Sequence, residues 1–215
     1  MNQAPPSPAS ALHMSDKVSL SAKHFVAEGT DRKCFRHPGE ASLCIKVLHS
    51  ERRFGRFWRE INYYSSLHRR DADFMHLTKF HGLIDTNLGK GAIFDLVLDD
   101  DARVSKSLDY YLAQNDHHFN AWVIDEIENL KQNLFQQWIV FHDLSPTNIL
   151  VKRLSFDEFG LVVIDGIGHN HFIPLASYSR ILARKKITRV WKRRYQRWYS
   201  AYPSVLSGLR PYPLV

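Results

Sequence analysis

The sequence predicts an α+β chain of two lobes, a small antiparallel sheet carrying one helix and a minimal helical lobe behind it. Short apolar, β-branched runs bounded by turn residues recur at 42–48, 79–84, 92–97, 149–151 and 161–164. Large apolar residues at intervals of three and four govern 51–68 and 119–139 instead. A length of 215 residues at 44% hydrophobic composition suits one compact unit or two small lobes sharing a cleft. The expected division places the first lobe at 18–97 and the second at 98–215.

Residues 1–17 are rich in Ala, Pro and Ser and lack the basic and apolar regions of a signal peptide, so they read as a disordered tail. Residues 24–35 form a charged hairpin around Gly29, where Thr30 to Lys33 offer backbone N–H groups and positive charge. In 42–48 a single lysine, Lys46, interrupts an apolar run, and a lysine in a buried strand needs an anionic partner. The following helix places Phe54, Phe57, Trp58, Ile61, Tyr64 and Leu67 on one face. Glu60 lies one turn from Phe57 and Tyr64, at the border of that face, and is the expected counter-charge for Lys46. Two strands then flank the turn Asn87-Leu88-Gly89-Lys90-Gly91, and Val123, Ile127, Leu130, Leu134 and Trp138 keep helical spacing up to a loop.

That loop reads Phe141-His142-Asp143-Leu144-Ser145-Pro146-Thr147-Asn148. The apolar runs at 149–151 and 161–164, with Gly160 between them, read as an antiparallel hairpin. Asn148 precedes its first strand and Asp165 follows its second, so pairing brings the two side chains together. A carboxylate beside an amide oxygen is hard-oxygen ligation suited to Mg²⁺, with phosphate and water completing the octahedron. Asp143, held just upstream, is placed to orient or deprotonate an attacking hydroxyl.

The order of Lys46, Glu60, Asp143, Asn148 and Asp165-Gly166 resembles the catalytic apparatus of the protein-kinase-like superfamily. Cys44-Ile45-Lys46-Val47, Arg59-Glu60-Ile61 with Tyr63-Tyr64, the 86–91 turn, His142 to Asn148 and Val163 to Gly168 are similar to the bacterial YrbL-type family, a small kinase-like group named for the PhoP regulatory network. The resemblance runs from Val18 to Trp198. It implies a two-lobed protein-kinase-like fold that uses ATP and Mg²⁺. Lys46 would hold the α- and β-phosphates, Glu60 would position Lys46, and Asn148 and Asp165 would bind the metal. Gly29 would lie in the phosphate-covering hairpin, with Phe94 as gatekeeper and the backbone of Asp95 and Val97 facing adenine.

Departures from ordinary protein kinases shape the acceptor. His142 replaces the usual Arg before the catalytic Asp, Ser145 replaces the loop Lys, and no Phe follows Asp165. Only 50 residues follow Asp165, without an Ala-Pro-Glu segment. A small molecule or envelope glycan is therefore expected ahead of protein. The alternative is a non-catalytic kinase-like module that binds nucleotide and acts through a partner.

Cys34 and Cys44, on adjacent strands, are expected as free thiols in a cytoplasmic chain. His169-Asn170-His171 reads as a segment following the metal loop rather than a zinc site. No run approaches the roughly 18 apolar residues of a membrane-spanning helix. After Asp165 there are ten Lys and Arg and no Asp or Glu, against 19 basic and 22 acidic residues before that point. This basic segment has Ile187, Val190, Trp191, Tyr195 and Trp198 on one helical face. It reads as a packed helix with a solvated basic face. A second reading is peripheral contact of 181–198 with anionic inner-membrane lipid, favoured by the Trp residues. Nucleic acid is least favoured, since no aromatic stacking platform accompanies the charge.

Overall fold

The computed structural model describes residues 17–50, 54–115, 117–155, 158–168 and 180–206. The expected tail and the His169-Asn170-His171 segment lie outside these. Strands β1 (Phe25–Glu28), β2 (Arg32–His37), β3 (Glu40–Leu48), β4 (Phe80–Thr86) and β5 (Gly89–Asp95) pair antiparallel in the order β1-β2-β3-β5-β4. In the central strand β3, Cys44, Ile45, Lys46 and Val47 are all buried because both faces are covered. Ile45 and Val47 pack with Leu20 and Phe35 on one face. Alternation turns Cys44 and Lys46 to the other, toward helix α1 (Phe54–Arg69).

Phe57, Ile61, Tyr64 and Leu67 form the buried stripe of α1, and the Tyr64 ring meets Phe94 of β5 edge-on at 5.1 Å. Glu60 shares that stripe and is only 6% exposed. Its burial follows from the helical period rather than from its own polarity. Asn87 closes the β4–β5 turn and fixes the amino-terminal segment, accepting from the Leu20 N–H at 2.7 Å and donating to its carbonyl at 3.0 Å.

Beyond β5 the chain runs through β6 (Lys106–Ser107) into α2 (Leu108–Gln114), capped by the Ser107 hydroxyl, which accepts from Tyr110 N–H. Helix α3 (His117–Gln136) buries Val123, Ile127, Leu130 and Leu134. It ends earlier than its apolar spacing suggests. Trp138 takes φ 53°, and Ile139, Val140 and Phe141 are buried beyond the helix end, leading the chain through the core toward the 142–148 loop. Leu96 and Val97 likewise fall outside β5, in an irregular connection where Leu96 N–H donates to Ser42 and Ser105 N–H donates to Val97. Strand β7 (Ile149–Arg153) pairs antiparallel with β6 on one side and β8 (Phe159–Val163) on the other, forming a second sheet. Helix α4 (Arg180–Ala201) and the short α5 (Pro203–Leu206) close the chain. One apolar core runs continuously from Phe57 of α1 through α3 and β7–β8 to Trp191 and Trp198 of α4.

Candidate functional site

The β7–β8 register pairs Ile149 with Val163, so Asn148 and Ile164 flank the hairpin at one end, and Ile164 N–H donates to the Asn148 carbonyl at 2.9 Å. The next residues dock on the 142–148 loop. Gly166 carbonyl accepts from both His142 N–H at 2.8 Å and Asp143 N–H at 3.2 Å, and Gly168 N–H donates to Val140. Gly166 adopts φ +82°, and a Cβ there would sit 1.8 Å from the Asp143 carbonyl oxygen. Only glycine permits that conformation and that approach. A 3₁₀ turn, Pro146–Asn148, then aims Asn148 back, its amide nitrogen donating weakly to the Asp143 carbonyl at 3.5 Å.

A cleft of about 880 Å³ lies between the five-stranded sheet and this loop. Gly29, Lys46, Glu60, Asp95, Val97, Asp143, Asn148 and Asp165, the eight residues singled out from sequence, all line it. Lys46, 8% exposed, donates to the Ile164 carbonyl and lies 4.6 Å from the Phe94 ring centroid. Its expected pairing with Glu60 is not what forms. Arg32 of β2 takes that place, with one guanidinium nitrogen 2.9 Å from Glu60 Oε2 and 2.6 Å from Asp165 Oδ1. The longer, forked side chain reaches both carboxylates from the neighbouring strand, whereas Lys46 is spent on a backbone carbonyl.

The electrostatics follow from this triad. Burial pushes the Glu60 carboxyl above the usual range, and Arg32 offsets only part of that. Burial would raise Asp165 too. The Arg32 and Lys46 charges and the Gly166 N–H together overrule it and hold Asp165 below the ordinary carboxylate value. Burial lowers His142, against the pull of Asp165 and Asp143. The Cys34 thiol, lining the same cleft, is drawn down to about 7, chiefly by its hydrogen bond with Cys44, with burial opposing and Lys46 and Arg32 assisting. Both cysteines are free.

Gly29 lies in the turn before β2, its N–H donating to Arg32 and its carbonyl 2.9 Å from His49 Nε2. No crowding demands glycine there, since a Cβ would meet its nearest atom at 3.8 Å. Of the charges expected from this turn, Arg32 faces the cleft, whereas Lys33 lies 3.9 Å from Glu28. Asp95 spends its carboxylate on Lys79 N–H and His81, and its backbone carbonyl accepts from the Cys44 thiol at 3.5 Å. The Val97 carbonyl accepts from Ser105. Asp165 Oδ2 and Asn148 Oδ1 have no hydrogen-bond partner among the described residues, so two hard-oxygen donors face the cleft, a set that fits Mg²⁺.

Two residues of the basic helix reach the loop. Arg194 lies 2.8 Å from Asp143 Oδ1, and Trp198 Nε1 donates to the Leu144 carbonyl at 3.1 Å. Trp191 and Trp198 are each 3% exposed. The tryptophans that favoured lipid contact therefore belong to the core, because the apolar stripe of α4 packs inward against Phe135 and Phe141. Among the described residues no helix is long and apolar enough to cross a membrane. Sequence reading had counted Arg194 only within the basic segment. Its place on the loop depends on a contact 51 positions apart in sequence.

The sequence profile described as PhoP regulatory network protein YrbL matches residues 18–198. The chain is 34% identical over 179 residues to the uncharacterised protein YrbL of Escherichia coli (strain K12), covering 82% of this chain and 85% of that relative. The protein of the same name in Shigella flexneri matches to the same extent. This chain belongs to the family of the PhoP regulatory network protein YrbL.

Proposed function

We propose that this protein is an ATP- and Mg²⁺-dependent phosphotransferase with a two-lobed, protein-kinase-like arrangement and a small-molecule or glycan hydroxyl as acceptor. The observation that carries this reading is the convergence of Lys46, Glu60, Asp143, Asn148 and Asp165 on one cleft from four separate stretches of chain. The Asp95 carbonyl, loosely held by a thiol, is the acceptor available to the adenine amino group, beside Val97. Lys46 supplies the phosphate-binding charge at the foot of β3. Asn148 and Asp165 would hold the cation, which would supply positive charge to offset that of the phosphates. In the transfer the acceptor oxygen bonds to the γ-phosphorus and the bond from that phosphorus to the ADP oxygen breaks. ADP leaves with the electron pair, and Asp143 takes the acceptor proton.

Thermal-shift titration with ATP, with and without Mg²⁺, tests the reading, with Asp165→Ala as control. Metal-dependent stabilisation of the intact protein, absent in the variant, is expected. An intact protein that gains no stability from Mg·ATP would defeat the proposal.

One observation favours a second reading, a nucleotide-binding regulatory module without turnover. Arg32 already occupies Asp165 Oδ1 and Glu60 Oε2, one oxygen of each of the two acids that catalysis would need to engage. Mg·ATP stabilisation without phosphate release to water or to any cell-extract fraction would favour it.

A further inference from the structure

The loop from Asp143 to Asn148 contains no cation, yet one reaches it from elsewhere. Arg194 of α4 places a guanidinium nitrogen 2.8 Å from Asp143 Oδ1, with its side chain 17% exposed. One turn further along the same helix face, Trp198 Nε1 donates to the carbonyl of Leu144, the next loop residue. Spacing of four residues puts both groups on one side of the helix, so α4 grips the loop at two successive residues. The helix is itself anchored by buried Ala183, Ile187, Val190 and Trp191. The charge is held at ion-pair distance without an aligned hydrogen bond, for Asp143 Oδ1 and Arg194 Nε are both buried with no hydrogen-bond partner among the described residues.

We propose that Arg194 is a positioning residue for Asp143, pinning Oδ1 so that Oδ2 is presented to the acceptor hydroxyl. The assignment rests on the phosphotransfer reading above. Asp143 borders the cleft whereas Arg194 does not, so Arg194 acts from behind the carboxylate rather than on substrate. Its environment marks the contact as built. Arg194 Nε is buried with no hydrogen-bond partner among the described residues. Burial lowers the guanidinium below its usual range, Asp143 pulls it back, and Arg197 and Arg193 add repulsion. A half-buried arginine among like charges, facing one carboxylate, is held there at a cost that only that carboxylate offsets. The same contact explains what the excess positive charge after Asp165 does at one position. Arg194 is partly buried on Asp143, while its neighbours Arg193 and Arg197 are exposed.

The test is phosphate release from Mg·ATP with water as acceptor, measured beside Mg·ATP thermal stabilisation, for the intact protein, Arg194→Met, Arg194→Lys, Asp143→Asn and the Arg194→Met/Asp143→Asn double variant. Misplacing a catalytic group by about 1 Å costs on the order of 100-fold. Arg194→Met is therefore expected to lower kcat by about 30- to 100-fold, with KM for ATP and the Mg·ATP stabilisation unchanged. Arg194→Lys should recover much of the loss, and Arg194→Met should cost nothing further once Asp143 is Asn. A merely structural arginine would lower thermal stability and raise KM together, and its effect would persist in the Asp143→Asn background. That result overturns the assignment, as does an Arg194→Met variant that is as active as the intact protein or more so. If the intact protein is not stabilised by Mg·ATP, or binds it without phosphate release to water or transfer to any cell-extract fraction, the phosphotransfer reading fails and this assignment with it.

Discussion

Replacing Arg32 by Met removes the shared cation of two carboxylates while keeping most of its apolar length. Glu60 is 6% exposed, and its Oε1 already lacks a hydrogen-bond partner among the described residues, so in the variant its charge would be buried without compensation. Removing one partner of a buried pair costs about 3–5 kcal/mol. Protonation sets a ceiling. Moving an ordinary carboxyl from a pKa of about 4.3 to neutrality at pH 7 costs about 2.7 units at 1.36 kcal/mol each, or about 3.7 kcal/mol. At pH 5 the same ceiling is only about 1 kcal/mol. Asp165 adds less, because its side chain is 39% exposed and solvent screens it.

The direction follows from proton linkage. In the variant the folded-state pKa of Glu60 rises further above its unfolded value, so the folded state binds an extra proton. Stability then falls as pH rises from the unfolded carboxylate value through the raised one. In the intact protein Asp165 is held below its ordinary value, so its contribution is present at neutral pH and lost in acid. Both effects widen the gap at pH 7. Urea unfolding followed by tryptophan fluorescence should therefore show a loss of about 3 kcal/mol at pH 7 that shrinks to about 1 kcal/mol at pH 5. Arg32→Met combined with Glu60→Gln should regain much of it. A loss under about 1 kcal/mol at pH 7, or one equal at both pH values, would refute the argument that Arg32 sustains a buried charge.

Gly166→Ala should lower the urea midpoint strongly, by about 1–3 kcal/mol for the left-handed backbone alone and more for the overlap with the Asp143 carbonyl; an unchanged midpoint would mean that the turn relaxes freely. Cys34 should alkylate with iodoacetamide along a pH profile centred near 7, well before Cys44, which is 3% exposed. Mass spectrometry should show that reaction slowed by ATP, because Cys34 lines the cleft; a profile centred near 8.5, the value of an ordinary thiol, would contradict the Cys44 and Lys46 influence.

The local periods of the chain carried a good deal of this structure. Short apolar, β-branched runs placed β3 and the β7–β8 hairpin, and three-and-four spacing placed α1 and the body of α3, because buried strands and helix faces leave those patterns in the sequence. The same logic locates Asn148 and Asp165 at one end of a hairpin. Element ends were less legible. Trp138 and Ile139 keep the helical spacing of α3 yet leave the helix, since the core needs Ile139 to Phe141 as a buried segment leading to the loop.

Sequence by itself determined most of the buried faces, although Phe54 at the start of α1 stays 39% exposed, and the order in which Lys46, Glu60, Asp143, Asn148 and Asp165 arrive. Only the tertiary structure decided who pairs with whom. Glu60 was matched to Lys46 by position, but Arg32 reaches it from the adjacent strand and binds Asp165 as well. The basic helix looked like a surface feature until Trp191 and Trp198 entered the core and turned Arg194 onto Asp143. The physical reason is range. Burial is a one-body property that periodicity records along the chain, whereas an ion pair depends on where two distant segments meet, and no local pattern carries that distance.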